Sequence, residues 1–138
     1  IVLSFGKVEA KGATNIVPDN VELAGTLRCF DETLRSKTQK IIADTAGKIA
    51  AENNCNAHVN ILIGYPVLVN NDDATEQIKK ITTEYLGSEK VLDMPIRMGS
   101  EDFSYYTHYV PSCFYRLGVG NPDKNITSGL HTATFNID

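Results

Sequence analysis

A chain of 138 residues with 42% hydrophobic and 22% charged side chains has the composition of an ordered globular protein, not of a disordered one. Thirteen basic against seventeen acidic groups give a net charge of −4 without a long run of either sign, which argues against nucleic acid or an anionic membrane surface as a partner. No run of about 18 apolar residues is present to span a membrane, and three widely spaced cysteines without a CxxC indicate neither a disulfide framework nor a cysteine zinc site, which fits a reducing, cytoplasmic setting.

The length allows one domain or two small lobes, with burial expected to approach roughly two-thirds of the unfolded surface. The opening "IVLSFG" has neither an initiator methionine nor the flanks of a signal peptide, and reads as a strand entered from upstream. Residues 1–10 alternate with period two, Val2, Ser4, Gly6 and Val8 on one side and Leu3, Phe5, Lys7 and Glu9 on the other. After a turn marked by Gly12, Pro18, Asp19 and Asn20, residues 21–30 predict a second strand with Arg28 on its polar face. Asp31 is placed to cap a long helix running to about Asn53, with the apolar period Leu34, Ile41, Ile42, Ile49. "NAHVNILIGYP" predicts a third strand, ending at Pro66.

A change of character follows at about residues 66 to 70. Asp73 to Glu76 has capping-box spacing for a second helix, which Gly87 stops. Ser100, with Glu101 and Asp102 behind it, predicts another helix start. "SCFYRLG" predicts a strand, and a loop leads to His131 in "GLHTATF".

Several side chains could carry chemistry. His131 lies at a loop edge where metal ligands are often presented, but a lone loop histidine is more often a hydrogen-bonded surface residue, because a metal site needs three or four ligands. His58 and His108 have no better spacing and read as structural. Glu101 and Asp102 are adjacent and point about 100° apart on a helix, so they do not converge on one atom and read as helix-start stabilisation. Arg28, in mid-strand, and Asn15, in a turn, could together grip a carboxylate through forked hydrogen bonds, although a solvated strand arginine is commoner. No serine–histidine–aspartate order or phosphate-cradling glycine loop is present.

Five blocks then occur in order: "GATNIVPDNVELAGTLRCFD", "YPVLVNND", "MGSEDFSYY", "CFYRLGVGN" and "LHTATF". In order and interval, over essentially the whole chain, they resemble the hippurate hydrolase and indoleacetyl-amino-acid amidohydrolase branch of the aminoacylase/carboxypeptidase-like metallopeptidase family. The resemblance implies an α/β protein: an α+β lid lobe of antiparallel strands with a long helix, followed by the C-terminal portion of a zinc-peptidase-like α/β catalytic domain. Residues 1–66 correspond to the latter part of the lid, or dimerisation, domain, and residues 67–138 to the return into the catalytic domain.

The activity so implied is hydrolysis of the amide bond of N-acyl amino acids by a homodimer joined through its lids. Two divalent metal ions, of zinc, manganese, cobalt or nickel, hold a water, and a glutamate acts as general base. By position, His131 matches a metal ligand in the family's "LH" motif, while Asn15 and Arg28 match lid residues that grip the substrate carboxylate. Glu101 and Asp102 match a characteristic block to which no catalytic role is carried. The family's "HxCGHDxH"-type segment, its paired glutamates and its lid histidine have no counterpart in these residues. The 138 residues alone are therefore expected to hold no metal and to be inactive. A non-catalytic association module built on the lid sheet and long helix is the alternative.

Overall fold

The alternating residues at the start of the chain form a hairpin in the computed structural model, which describes residues 1–138. Strand β1, Val2–Glu9, pairs antiparallel with β2, Glu22–Arg28, from Val2 opposite Arg28 to Glu9 opposite Glu22. The expected strict alternation along β1 fails at one point. Phe5 faces Gly25 and Lys7 faces Ala24, so Gly6 is an extra, unpaired residue and the faces exchange beyond it. Gly25 is needed on the partner strand, because a Cβ there would lie 2.3 Å from the Ser4 carbonyl oxygen.

Helix α1, Glu32–Glu52, follows directly and starts as its sequence predicts: Asp31 Oδ1 accepts from the Leu34 amide at 2.6 Å. It ends in asparagines rather than glycine. Asn53 Nδ2 donates to the Ile49 carbonyl at 2.8 Å, and Asn54 takes the left-handed φ of 55°. Helix α2, Asp72–Leu86, is capped differently from the expected Asp73–Glu76 box. Asn71 Oδ1 accepts from the Ala74 amide at 3.0 Å, and Asp72 and Asp73 fill the first turn, where their charge complements the helix dipole. Gly87, at φ 93°, stops the helix as expected, its N–H donating to the Thr83 carbonyl.

Three other expectations are revised. Residues 56–66 form no regular element, and from Asn56 to Asn70 the chain makes no backbone–backbone hydrogen bond, so the expected third strand has no ladder. Its period of two specified two faces without specifying a neighbour. "SCFYRLG" likewise joins no sheet, and is tied to the chain before α2 through the Asn71 N–H on the Ser112 carbonyl. The helix expected from Ser100 is only α3, Ser104–Thr107, without a side-chain cap. The amides of Ser104, Tyr105 and Tyr106 each bond back three residues, and Ser104 Oγ donates to the Glu101 carbonyl at 2.6 Å, so the helix is entered through a run of tight turns.

The fold is thus mixed α/β, with one two-stranded antiparallel sheet and three helices. Its core does not meet the expectation from length. Ser104 is the one buried residue, and none of the large apolar side chains is buried. The accessible surface is 11728 Å², against about 7100 Å² for a folded monomer of this mass. Apolar faces of the hairpin and of residues 56–66 stand open, with Phe5 57% and Leu62 86% exposed. No helix is long and apolar enough to cross a membrane.

Candidate functional site

Arg28 is the last residue of β2, and strand pairing with Val2 sets its direction. Its Nη1 donates to the Met98 carbonyl at 3.0 Å, joining the hairpin to the loop before α3. One arm of the guanidinium is thereby committed, and its remaining N–H groups are available for a carboxylate. Arg28 lines an open cavity of about 2280 Å³ bounded by the hairpin, α1, residues 56–70, α2 and the loops around residues 90–101 and 113–118. His58 and Glu101 also line it.

Asn15 and His131 do not line this cavity. Asn15 is exposed in a turn closed by the Ile16 N–H on the Ala13 carbonyl. His131 is also exposed and takes a φ of 65°, unusual for a residue with a side chain. The loop that carries it is tied at two levels. Ser128 and Thr134 hydroxyls meet at 2.8 Å near the tip, and Thr132 Oγ1 donates to the Gly129 carbonyl. At the base, Asp138 accepts from Asn121 Nδ2 at 2.6 Å and pairs with Lys124, while its own N–H reaches the Val119 carbonyl. Asn121 and then Lys124 hold the Asp138 carboxyl below its ordinary pKa. The structure therefore does not bring the three predicted site residues together. His108 is the C-cap of α3 through its backbone N–H, which donates to the Tyr105 and Tyr106 carbonyls.

No group of three or more histidine, cysteine, aspartate or glutamate side chains is arranged to hold a metal ion. The donors present do not fit a dinuclear centre by themselves, since such a site needs three or more ligands together. The three cysteines are free.

Polar ties escaped sequence reasoning. Lys79 on α2 meets Asp93 at 2.8 Å, and this hydrogen bond and its charge raise the Lys79 pKa. Glu32 and Arg35 in the first turn of α1 reach the backbone on either side of Pro66. The spacing of Glu32 and Arg35 on one helix face was visible in the sequence, but their distant backbone partners carried no signal.

The pattern of "Peptidase family M20/M25/M40" matches residues 4–138. Among curated proteins, the chain is 34% identical to "IAA-amino acid hydrolase ILR1-like 2" of Arabidopsis thaliana, over 99% of its own length and 31% of the relative's. It is 30% identical to "IAA-amino acid hydrolase ILR1-like 4" of the same plant, over 99% of this chain and 32% of that one. It is also 30% identical to "Thermostable carboxypeptidase 2" of Saccharolobus solfataricus, over 99% of this chain and 34% of the relative. No solved structure matches significantly. The chain spans about a third of the length of these relatives. The mixed α/β chain thus matches one peptidase family along nearly its whole length. It belongs to peptidase family M20/M25/M40, a family that is generally dependent on a dinuclear metal centre.

Proposed function

We propose that this chain is a C-terminal part, about a third in length, of a metal-dependent amidohydrolase that cleaves N-acyl or aryl-acyl amino acids to a carboxylic acid and an amino acid. The observation that carries the reading is the family match along residues 4–138, with hydrolases among the relatives. In this reading residues 1–66 belong to a lid and dimerisation domain and residues 67–138 to a catalytic domain. The surface supports it: it exceeds that of a folded monomer of this mass by roughly 4600 Å², and large apolar side chains stand open to further structure. Free cysteines suit a cytoplasmic setting.

Arg28 is assigned to the substrate carboxylate, because a guanidinium fork with free N–H groups matches its planar pair of oxygens; Asn15, outside the cavity that Arg28 lines, is assigned to a separate substrate contact. His131 is assigned as one metal ligand, its partners lying outside these residues. The chain on its own is expected to be inactive.

The test is to express the complete reading frame, measure bound metal by elemental analysis and assay N-acyl amino acid cleavage, with His131→Ala alongside. Loss of metal and turnover in the variant is expected. A complete, folded protein that binds no divalent metal and cleaves no such amide would sink the reading.

The exposed apolar hairpin favours a second reading, a module that serves association alone. Even a large obligate interface buries only about 2500 Å² per partner, less than the excess. Sedimentation of the 138 residues as a clean monomer would remove this reading.

A further inference from the structure

The segment Asn56–Asn70 carries the chain from its first part to its second without one backbone–backbone hydrogen bond, yet its backbone is gripped around Pro66. Glu32 Oε1 accepts the Val67 N–H at 2.8 Å, and Arg35 Nη1 donates to the Tyr65 carbonyl at 3.1 Å. Glu32 Oε2 in turn takes Arg35 Nε at 2.8 Å and Nη2 at 2.5 Å. Between the two gripped groups stands Pro66, which has no N–H to satisfy and a fixed φ. One ion pair therefore satisfies the backbone on both sides of the single stiff residue in the crossover. Arg35 is well covered for an ion-pair residue in this open chain, its side chain 16% exposed.

The surroundings give this grip a consequence. The Tyr65 ring meets the Tyr105 ring of α3 edge-on, with centroids 5.9 Å apart. Four residues before Glu32, Arg28 reaches the Met98 carbonyl from the end of β2. The β2–α1 junction is thus tied to the second part of the chain twice, once through the crossover and once through Arg28.

We propose that Glu32 and Arg35 form a latch that fixes the Tyr65–Val67 crossover, and with it the placement of Arg28 against the second part of the chain. Both are positioning residues. A charged pair suits the task, because hydrogen bonds to ionised groups are stronger than neutral ones, and the arginine fork fixes direction as well as distance. The kinetic consequence rests on the amidohydrolase reading, but the grip on the crossover does not.

The experiment compares the complete protein with its Glu32→Ala and Arg35→Lys variants by amide hydrogen exchange, limited proteolysis and steady-state kinetics. In Glu32→Ala, exchange of the Val67 amide and cleavage around residues 64–68 should accelerate about tenfold, while amides within α2 are unchanged. Arg35→Lys should move the same signals less, since lysine keeps the charge and loses the fork. KM for an N-acyl amino acid should rise about threefold to tenfold, with kcat within about twofold. If Glu32→Ala does not fold, Arg35→Lys decides the matter alone. Unchanged Val67 exchange overturns the latch, even if KM rises, because Glu32 would then act without holding the crossover. A wild-type protein that cleaves no amide counts against the functional reading, and the exchange measurement still decides the latch.

Discussion

Asn70 is joined to Phe114 as though it were the next strand: its Oδ1 accepts the Phe114 N–H at 2.8 Å and its Nδ2 donates to the Phe114 carbonyl at 2.9 Å. One side chain satisfies both backbone groups of a residue 44 positions away, where neither segment forms a ladder. Asn70→Ala should therefore leave a part-buried N–H and carbonyl without partners and destabilise the complete protein by about 2 kcal/mol. Asn70→Asp retains the acceptor and loses the donor, so it should cost less. Urea unfolding of the two variants checks the order.

The hairpin depends on a bare backbone at position 25. Gly25→Ala would place a carbon 2.3 Å from the Ser4 carbonyl oxygen, in strand backbone that cannot give way as a flexible side chain would. A loss of more than about 2 kcal/mol is expected, read as a fall in melting temperature. At Gly6 a side chain would meet nothing within 4 Å, so Gly6→Ala should be much milder.

Acid should loosen the base of the His131 loop. Asp138 titrates below its ordinary value of 3.8 because Asn121 and Lys124 favour its charged form. Its contribution is therefore fully present above that ordinary value and is lost as pH falls through the lowered one. Protection of the Asp138 amide, which bonds to the Val119 carbonyl, should fall over that range relative to the intrinsic exchange rate at each pH. In Asp138→Asn the acid dependence should disappear.

The tie between α2 and the following loop should fail at the other end of the pH scale. Asp93 raises the Lys79 pKa above 10.5, so the tie is fully present below that value and is lost as pH rises through the raised one. Both groups are solvent-facing, so added salt should weaken the tie at any pH. Lys79→Met should abolish the alkaline step in a pH series of loop exchange near Asp93.

Arg28→Lys tests the assignment of the guanidinium. Lysine keeps the charge but cannot hold the Met98 carbonyl and a carboxylate through one rigid fork. KM for an N-acyl amino acid should rise about tenfold or more in the complete protein. An unchanged KM would place the substrate carboxylate elsewhere.

The sequence by itself determined what depends on near neighbours. Asp31 caps α1 because an acceptor directly before a helical run finds free amides within three residues, and Gly87 ends α2 because it can take φ 93°. Period-two alternation marked β1 and β2, and five ordered blocks marked the family. Even locally, a competing residue could win: Asn71, two places upstream, caps α2 instead of Asp73. Tertiary structure decided what depends on distant partners. Only the fold shows that residues 56–66 pair with no strand, that Gly6 bulges out of register, and that Glu32 and Arg35 close on the backbone around Pro66. It also separates Arg28 at the cavity from Asn15 and His131 outside it. Side-chain spacing along a chain specifies faces and caps, but not which distant backbone a face will meet, because that choice is made by packing among elements far apart in sequence.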